Sequence, residues 1–150
     1  MYHYIVKRKL RKVFAGLNAG KIEAVTDELS DQAVHYFIGQ HALSGTRRTP
    51  DSIRLWYQRL LRLLPDIHFD LENIHVQGFP WATLAAVPWT ESNSGTDGVR
   101  TSNEGLNLVR IAWGRVVEVR IYTDTQVLVA TLDRLAAANV TEAHAPPIIS

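Results

Sequence analysis

The chain has 150 residues, 46% of them hydrophobic and 21% charged, the balance of a globular domain rather than a disordered or fibrous chain. Sixteen Lys and Arg against fifteen Asp and Glu leave a net charge of +1, so no bulk field draws nucleic acid or a membrane surface. There is no cysteine, which removes disulfides, thiolate catalysis and cysteine-based metal sites, and no apolar run reaches the roughly 18 residues of a membrane-spanning helix.

Residues 1–22 hold six basic side chains (Lys7, Arg8, Lys9, Arg11, Lys12, Lys21) and no acid, a composition shared with organellar presequences. Ile5, Val6, Leu10, Val13, Phe14 and Leu17 recur at helical spacing, however, so a surface helix ending at Asn18-Ala19-Gly20 is the stronger reading. A secretory signal would need an unbroken apolar stretch after its charges. None follows, and the chain reads as cytoplasmic.

A second short helix is expected at 21–29, with Ile22, Val25 and Leu29 on one face. Residues 33–38 are β-branched and aromatic and read as a strand closed by Gly39. The loop from Gln40 to Thr49 carries Arg47-Arg48, able to grip an anion but more simply read as surface charge. Thr49-Pro50-Asp51 is a helix start, with a capping hydroxyl, proline in the first turn and an acid at the positive dipole end. That helix continues through Ile53, Trp56 and Leu60 to Pro65.

Beyond Pro65 the apolar period falls to two. Ile67, Phe69 and Leu71, extending to Ile74 and Val76, mark a strand, and Gly78 and Pro80 turn the chain. Strands follow at 81–90, 100–112 and 116–123, separated by the polar loop Ser92–Gly98 and the turn Trp113-Gly114-Arg115. A helix at about 125–138 precedes a tail over 139–150, which reads as loose. Helices first and a strand meander afterwards indicate an α+β fold.

The six histidines show no His-x-x-x-His pair and no His-Glu-x-x-His, so no metal site is expected. A nucleophile elbow and a phosphate-cradling glycine loop are also lacking. Trp56, Trp81, Trp89 and Trp113, with Tyr57 and Phe69, form an aromatic complement of which some should line an apolar ligand site, although Trp56 lies on a stripe that more simply reads as core. Glu91 is a further candidate acid, and Trp113 is a candidate for a dimer edge.

The order Leu17-Asn-Ala-Gly-Lys-Ile22, Gly39 to Gly45 with Arg47, and Leu64-Pro-Asp-Ile-His-Phe69 carries a resemblance. It continues through Glu104-Gly-Leu-Asn107, Trp113-Gly-Arg-Val-Val-Glu118 and Tyr122-Thr-Asp-Thr-Gln126. Over residues 3–137 the chain resembles the SnoaL-like branch of the nuclear transport factor 2-like superfamily. The resemblance implies one domain over 1–150 with a cystatin-like cone: a strongly curved antiparallel sheet around a pocket, closed by the N-terminal helices. It also implies a homodimer through the outer sheet face, with Glu118, Arg120 and Tyr122 placed there, and chemistry mostly without a cofactor.

Ketosteroid isomerases of the superfamily place their oxyanion donors where this chain has Val13 and Asn107, and their proton-shuttling aspartate at Tyr36. All three differ, so isomerase chemistry of that kind is not expected. SnoaL-type cyclases use an aspartate that corresponds to Asp124, but their partner histidine has no counterpart in Val87–Glu91. The resulting expectation is a small hydrophobic ligand in the cone, with Asp124 moving a proton and Tyr36 and Asn107 polarising a carbonyl. Val13, Trp56, Trp89, Val109 and Ile121 would line the site. Capping of the last helix is the alternative role for Asp124. A non-catalytic binding protein or a protein-interaction module are the alternative functions.

Overall fold

A computed structural model describes residues 1–150. Helix α1 (Tyr2–Asn18) buries Val6, Leu10, Phe14 and Leu17 and leaves Arg8, Arg11 and Lys12 in solvent, as its periodicity requires. The one-turn helix α2 (Glu23–Thr26) is shorter than the expected 21–29, and strand β1 (Leu29–Phe37) begins correspondingly earlier. A short strand β2 (Gly45–Arg47) lies within the expected loop and pairs back on β1, with His35 opposite Arg47.

Helix α3 (Pro50–Leu63) starts on a capping box between Thr49 and Ser52. Strands β3 (His68–Leu71), β4 (His75–Phe79), β5 (Ala82–Asn93), β6 (Thr101–Ala112) and β7 (Arg115–Thr123) complete the sheet. Helix α4 (Thr125–Ala137) and a 3-10 turn (Thr141–His144) end the ordered elements.

The strand order is β2-β1-β7-β6-β5-β3, with β4 also on β5, in a curved sheet that does not close on itself. All pairs are antiparallel except β1 with β7, so the expected antiparallel sheet carries one parallel pair. The expected strand 67–76 is split in two, and Pro88 accounts for the split. Its carbonyl accepts from Glu72 N at 3.0 Å, so the side of β5 facing the break is also the side where Pro88 lacks an N–H. Here β3 ends against Trp89 and β4 begins against Ala86.

The inner sheet face presents Ala85, Val87, Trp89, Val109, Ile111, Val119 and Ile121 to helices α1 and α3. The C-terminal residues are tied down rather than loose. Arg59 donates to Pro146 O at 2.8 Å, Arg47 donates to Ile148 O at 2.7 Å, and Ser150 N donates to Thr46 O at 3.2 Å. No helix is long and apolar enough to cross a membrane.

Candidate functional site

Helices α1 and α3 and the inner sheet face line a partly enclosed cavity of about 90 Å³. Twenty of its 25 lining residues are hydrophobic, so the few polar groups there decide what it can recognise. Val13, Trp56, Trp89, Asn107, Val109 and Ile121 all line it, as does Glu91.

Strand alternation explains that set. On β5 the inward residues are Val87, Trp89 and Glu91, opposite Asn107, Gly105 and Asn103 of β6. Phe14, Phe69 and Trp89 form a wall of edge-on rings, with centroids 5.5 and 5.1 Å apart. The Trp89 indole N–H donates to Asn107 Oδ1 at 2.9 Å. An indole nitrogen can only donate, so this bond fixes the amide orientation and leaves Nδ2 as the free end. That nitrogen makes no hydrogen bond within the protein, and Asn107 is therefore an uncommitted neutral donor in the lining.

Glu91 is the cavity's buried acid. Asn93 Nδ2 donates to both carboxyl oxygens, at 3.0 and 3.3 Å, and Asn93 is itself fixed by accepting from Gly95 N at 3.0 Å. Burial pushes the Glu91 carboxyl above its ordinary value, with the Asn93 bond and Arg100 opposing the shift. A carboxyl shifted upwards keeps its proton to a higher pH than an ordinary glutamate does, which suits it to exchange that proton with a ligand.

Tyr36 and Asp124 lie elsewhere. His35 and Phe37 pair with the inward Val119 and Ile121, which turns Tyr36 to the outer face. Its ring lies 4.3 Å from the Arg120 guanidinium carbon and 6.1 Å from the Tyr122 ring centroid. The phenol therefore does not point into the cone. Asp124 is exposed and caps α4, accepting from Gln126 N at 3.1 Å and Val127 N at 3.3 Å. Its carboxylate serves the helix's free N–H groups, and the neighbouring Thr123 lines the cavity instead.

Glu91, a further candidate acid in the sequence, and Tyr57, one of several aromatic candidates for the lining, both face the cavity. Arg47, expected as surface charge, is wholly buried beside the equally buried His35. The signal for both lay in chain-distant partners. No three His, Asp or Glu side chains converge on one point.

A sequence profile of the SnoaL-like domain matches residues 10–119. PrhC from Penicillium brasilianum superposes with a TM-score of 0.76 at 15% identity, over 91% of each chain. An NTF2-like protein of unknown function from Burkholderia pseudomallei gives 0.74 at 12% identity, over 83% of this chain and 95% of its own. TerC, co-crystallised with polyporic acid, gives 0.69 at 15% identity, over 79% of this chain and 91% of its own. Identities this low establish the fold alone. No curated protein matches the chain.

Proposed function

From the premise that the chain belongs to the SnoaL-like domain family, within the NTF2-like superfamily, we propose that it binds a small hydrophobic organic molecule and moves a proton on it. The observation carrying this reading is an apolar cavity that holds one buried acid, Glu91, and one uncommitted amide donor, Asn107. The acid and the donor suit proton abstraction next to a carbonyl. Glu91 accepts the proton from carbon, the electron pair moves onto the carbonyl oxygen, and the Asn107 N–H stabilises the resulting charge. Side chains alone supply such chemistry, so no cofactor is required by it.

Size narrows the ligand. An enclosed apolar cavity of roughly 150 Å³ accepts benzene; this one, at about 90 Å³ but only partly enclosed, favours a compound of one ring with its substituent at the open side over a polycycle. The co-crystallisation of TerC with polyporic acid favours an organic ligand for this fold.

We extend the reading to a homodimer acting as one unit over 1–150 in the cytoplasm. The outer faces of β5 and β6 carry Leu84, Ala86, Pro88, Leu106 and Leu108, only partly buried, beside Arg120 and Tyr122. Such a face suits a second copy. Most of the basic segment 1–22 forms α1, which supplies Leu10, Val13, Phe14 and Leu17 to the cavity and so favours its retention over removal as a presequence.

Acetophenone in D2O tests the proposal. The wild type should bind it and exchange its methyl protons, seen by NMR, and Glu91→Gln should bind without exchange. Absence of binding, or equal binding by the cavity-filled Val109→Phe, refutes the ligand site. Binding without exchange in the wild type leaves only the non-catalytic binding protein.

A further inference from the structure

Behind the cavity wall lies a chain of three buried polar side chains that the proposed proton transfer does not use. Arg47 Nε donates to His35 Nδ1 at 3.1 Å, and His35 Nε2 lies 3.3 Å from Tyr57 Oη. Arg47 and His35 have no solvent exposure, and Tyr57 has 5%.

The directions of these bonds can be assigned. A guanidinium only donates, so Nδ1 of His35 must be unprotonated, and the neutral ring carries its hydrogen on Nε2. Burial, with the Arg47 charge, holds His35 well below its ordinary value, which keeps it neutral. The Nε2–H therefore donates to the Tyr57 oxygen. The phenol's own proton is left over, and no group of the protein accepts it. Burial also keeps the phenol protonated, raising it far above its ordinary value. A buried O–H without an acceptor, on a residue that lines a cavity, calls for an acceptor within the cavity.

Arg47 gives the chain its polarity. Three of its four remaining N–H groups donate to the backbone carbonyls of Ser44 at 3.0 Å, Gly45 at 3.0 Å and Ile148 at 2.7 Å, and it contacts no carboxylate. Its guanidinium lies 5.4 Å from the Trp56 ring centroid. The charge is thus held rigidly and left unneutralised at one end of the chain. In a medium of low polarity it polarises each successive bond and strengthens the last donor.

We propose that Tyr57 donates the second hydrogen bond to the oxygen of a bound ligand, oriented and polarised by His35 and Arg47, so that the cavity takes small carbonyl compounds in preference to hydrocarbons of the same shape. This rests on the ligand-binding reading of the cavity and specifies its substrate class. Tyr57 is the group in contact with the ligand; His35 and Arg47 are positioning residues.

The probes are acetophenone, labelled with carbon-13 at the carbonyl, and ethylbenzene as the shape control. Infrared spectroscopy should show the bound carbonyl stretch below its value in hexane, and Tyr57→Phe should return it part of the way. Tyr57→Phe should weaken acetophenone binding about five-fold, the effect of one neutral hydrogen bond, and leave ethylbenzene unaffected. His35→Leu should move the stretch in the same direction as Tyr57→Phe, and His35→Gln, which can still accept and donate, should restore it.

If neither probe binds, the ligand-binding reading fails and this assignment fails with it. If both bind and the stretch is the same in the wild type and Tyr57→Phe, the assignment of Tyr57 alone is overturned. Should Tyr57→Phe not fold, Asn107→Ala decides. A stretch still lowered there supports Tyr57 as the remaining donor, and an unshifted stretch overturns it.

Discussion

Gly105 and Trp89 face each other across the β5–β6 ladder with no space for a methyl group between them. A Cβ built on Gly105 would stand 2.5 Å from both Cζ2 and Cη2 of the Trp89 indole, and 2.5 Å from the Tyr122 carbonyl oxygen. The missing side chain lets the indole lie flat over β6 and places its N–H against Asn107. Gly105→Ala should therefore displace Trp89 and break that bond. The expected loss is about 1–3 kcal/mol, the usual cost of overpacking a filled core. A urea titration measures it, and Trp89 should become more exposed to an acrylamide quencher. An unchanged unfolding midpoint would show that the indole can move aside freely.

The same pair shows what the sequence carries and what it leaves out. The strands at 81–90 and 100–112 are legible from their apolar content and the turn residues between them, and the pleat of the second sets Asn107 and Val109 on one face. Alternation alone does not say which face is inward. The expectation of Tyr36 in the cone requires Val34 and Tyr36 to face inward on β1, yet Ala33, His35 and Phe37 occupy that face. The histidine is tolerated inside because Arg47 and Tyr57, 12 and 22 residues away, satisfy both ring nitrogens. Nothing local to residue 35 announces those partners. Arg47 looked exposed for a related reason: the carbonyl that helps bury it belongs to Ile148, at the far end of the chain. In contrast, the helix start at Thr49-Pro50-Asp51 was legible because a cap is a local device.

Asp124→Ala separates capping from chemistry. Removing an N-cap carboxylate that accepts from two backbone N–H groups should cost about 1 kcal/mol, or roughly 2–4 °C in Tm for a chain of this size. Because Asp124 sits in solvent at the start of α4, ligand binding and the Glu91-dependent proton exchange should persist. A variant that keeps its Tm but loses exchange would return Asp124 to the reaction.

Leu108→Glu addresses the outer face of the sheet. Leu108 stands opposite Arg120 on β7 and Ala86 on β5, in the middle of the partly buried apolar row. Within one copy, a glutamate there has Arg120 directly across the ladder, an opposite-charge cross-strand pair that keeps the fold stable. Between two copies it would bury a charge against an apolar surface. Sedimentation equilibrium should give a dimer for the wild type and a folded monomer for Leu108→Glu. A wild type that is monomeric at all concentrations, or a variant that remains dimeric, would remove this face as the interface.

Glu91 gives the protein a pH dependence whose sign is fixed by burial. An ordinary glutamate titrates at about 4.3 in the unfolded chain, and in the folded protein the Glu91 carboxyl is raised above that range. The folded state then binds the proton more tightly than the unfolded state does. Its contribution to stability is complete below the unfolded value and is lost as pH rises through the folded one. Glu91→Gln keeps the size of the side chain but has no charge to bury. The stability of Glu91→Gln relative to wild type should therefore rise as the pH increases from 4 to 8. Proton exchange on acetophenone by the wild type should appear over the same interval, because the ionised carboxylate is the base. Urea midpoints for both proteins across that range, with the exchange rate measured alongside, make the comparison. A constant difference between the two midpoints would mean that Glu91 titrates as it does in water, and the carboxyl would lose its place as a poised acid within the cavity.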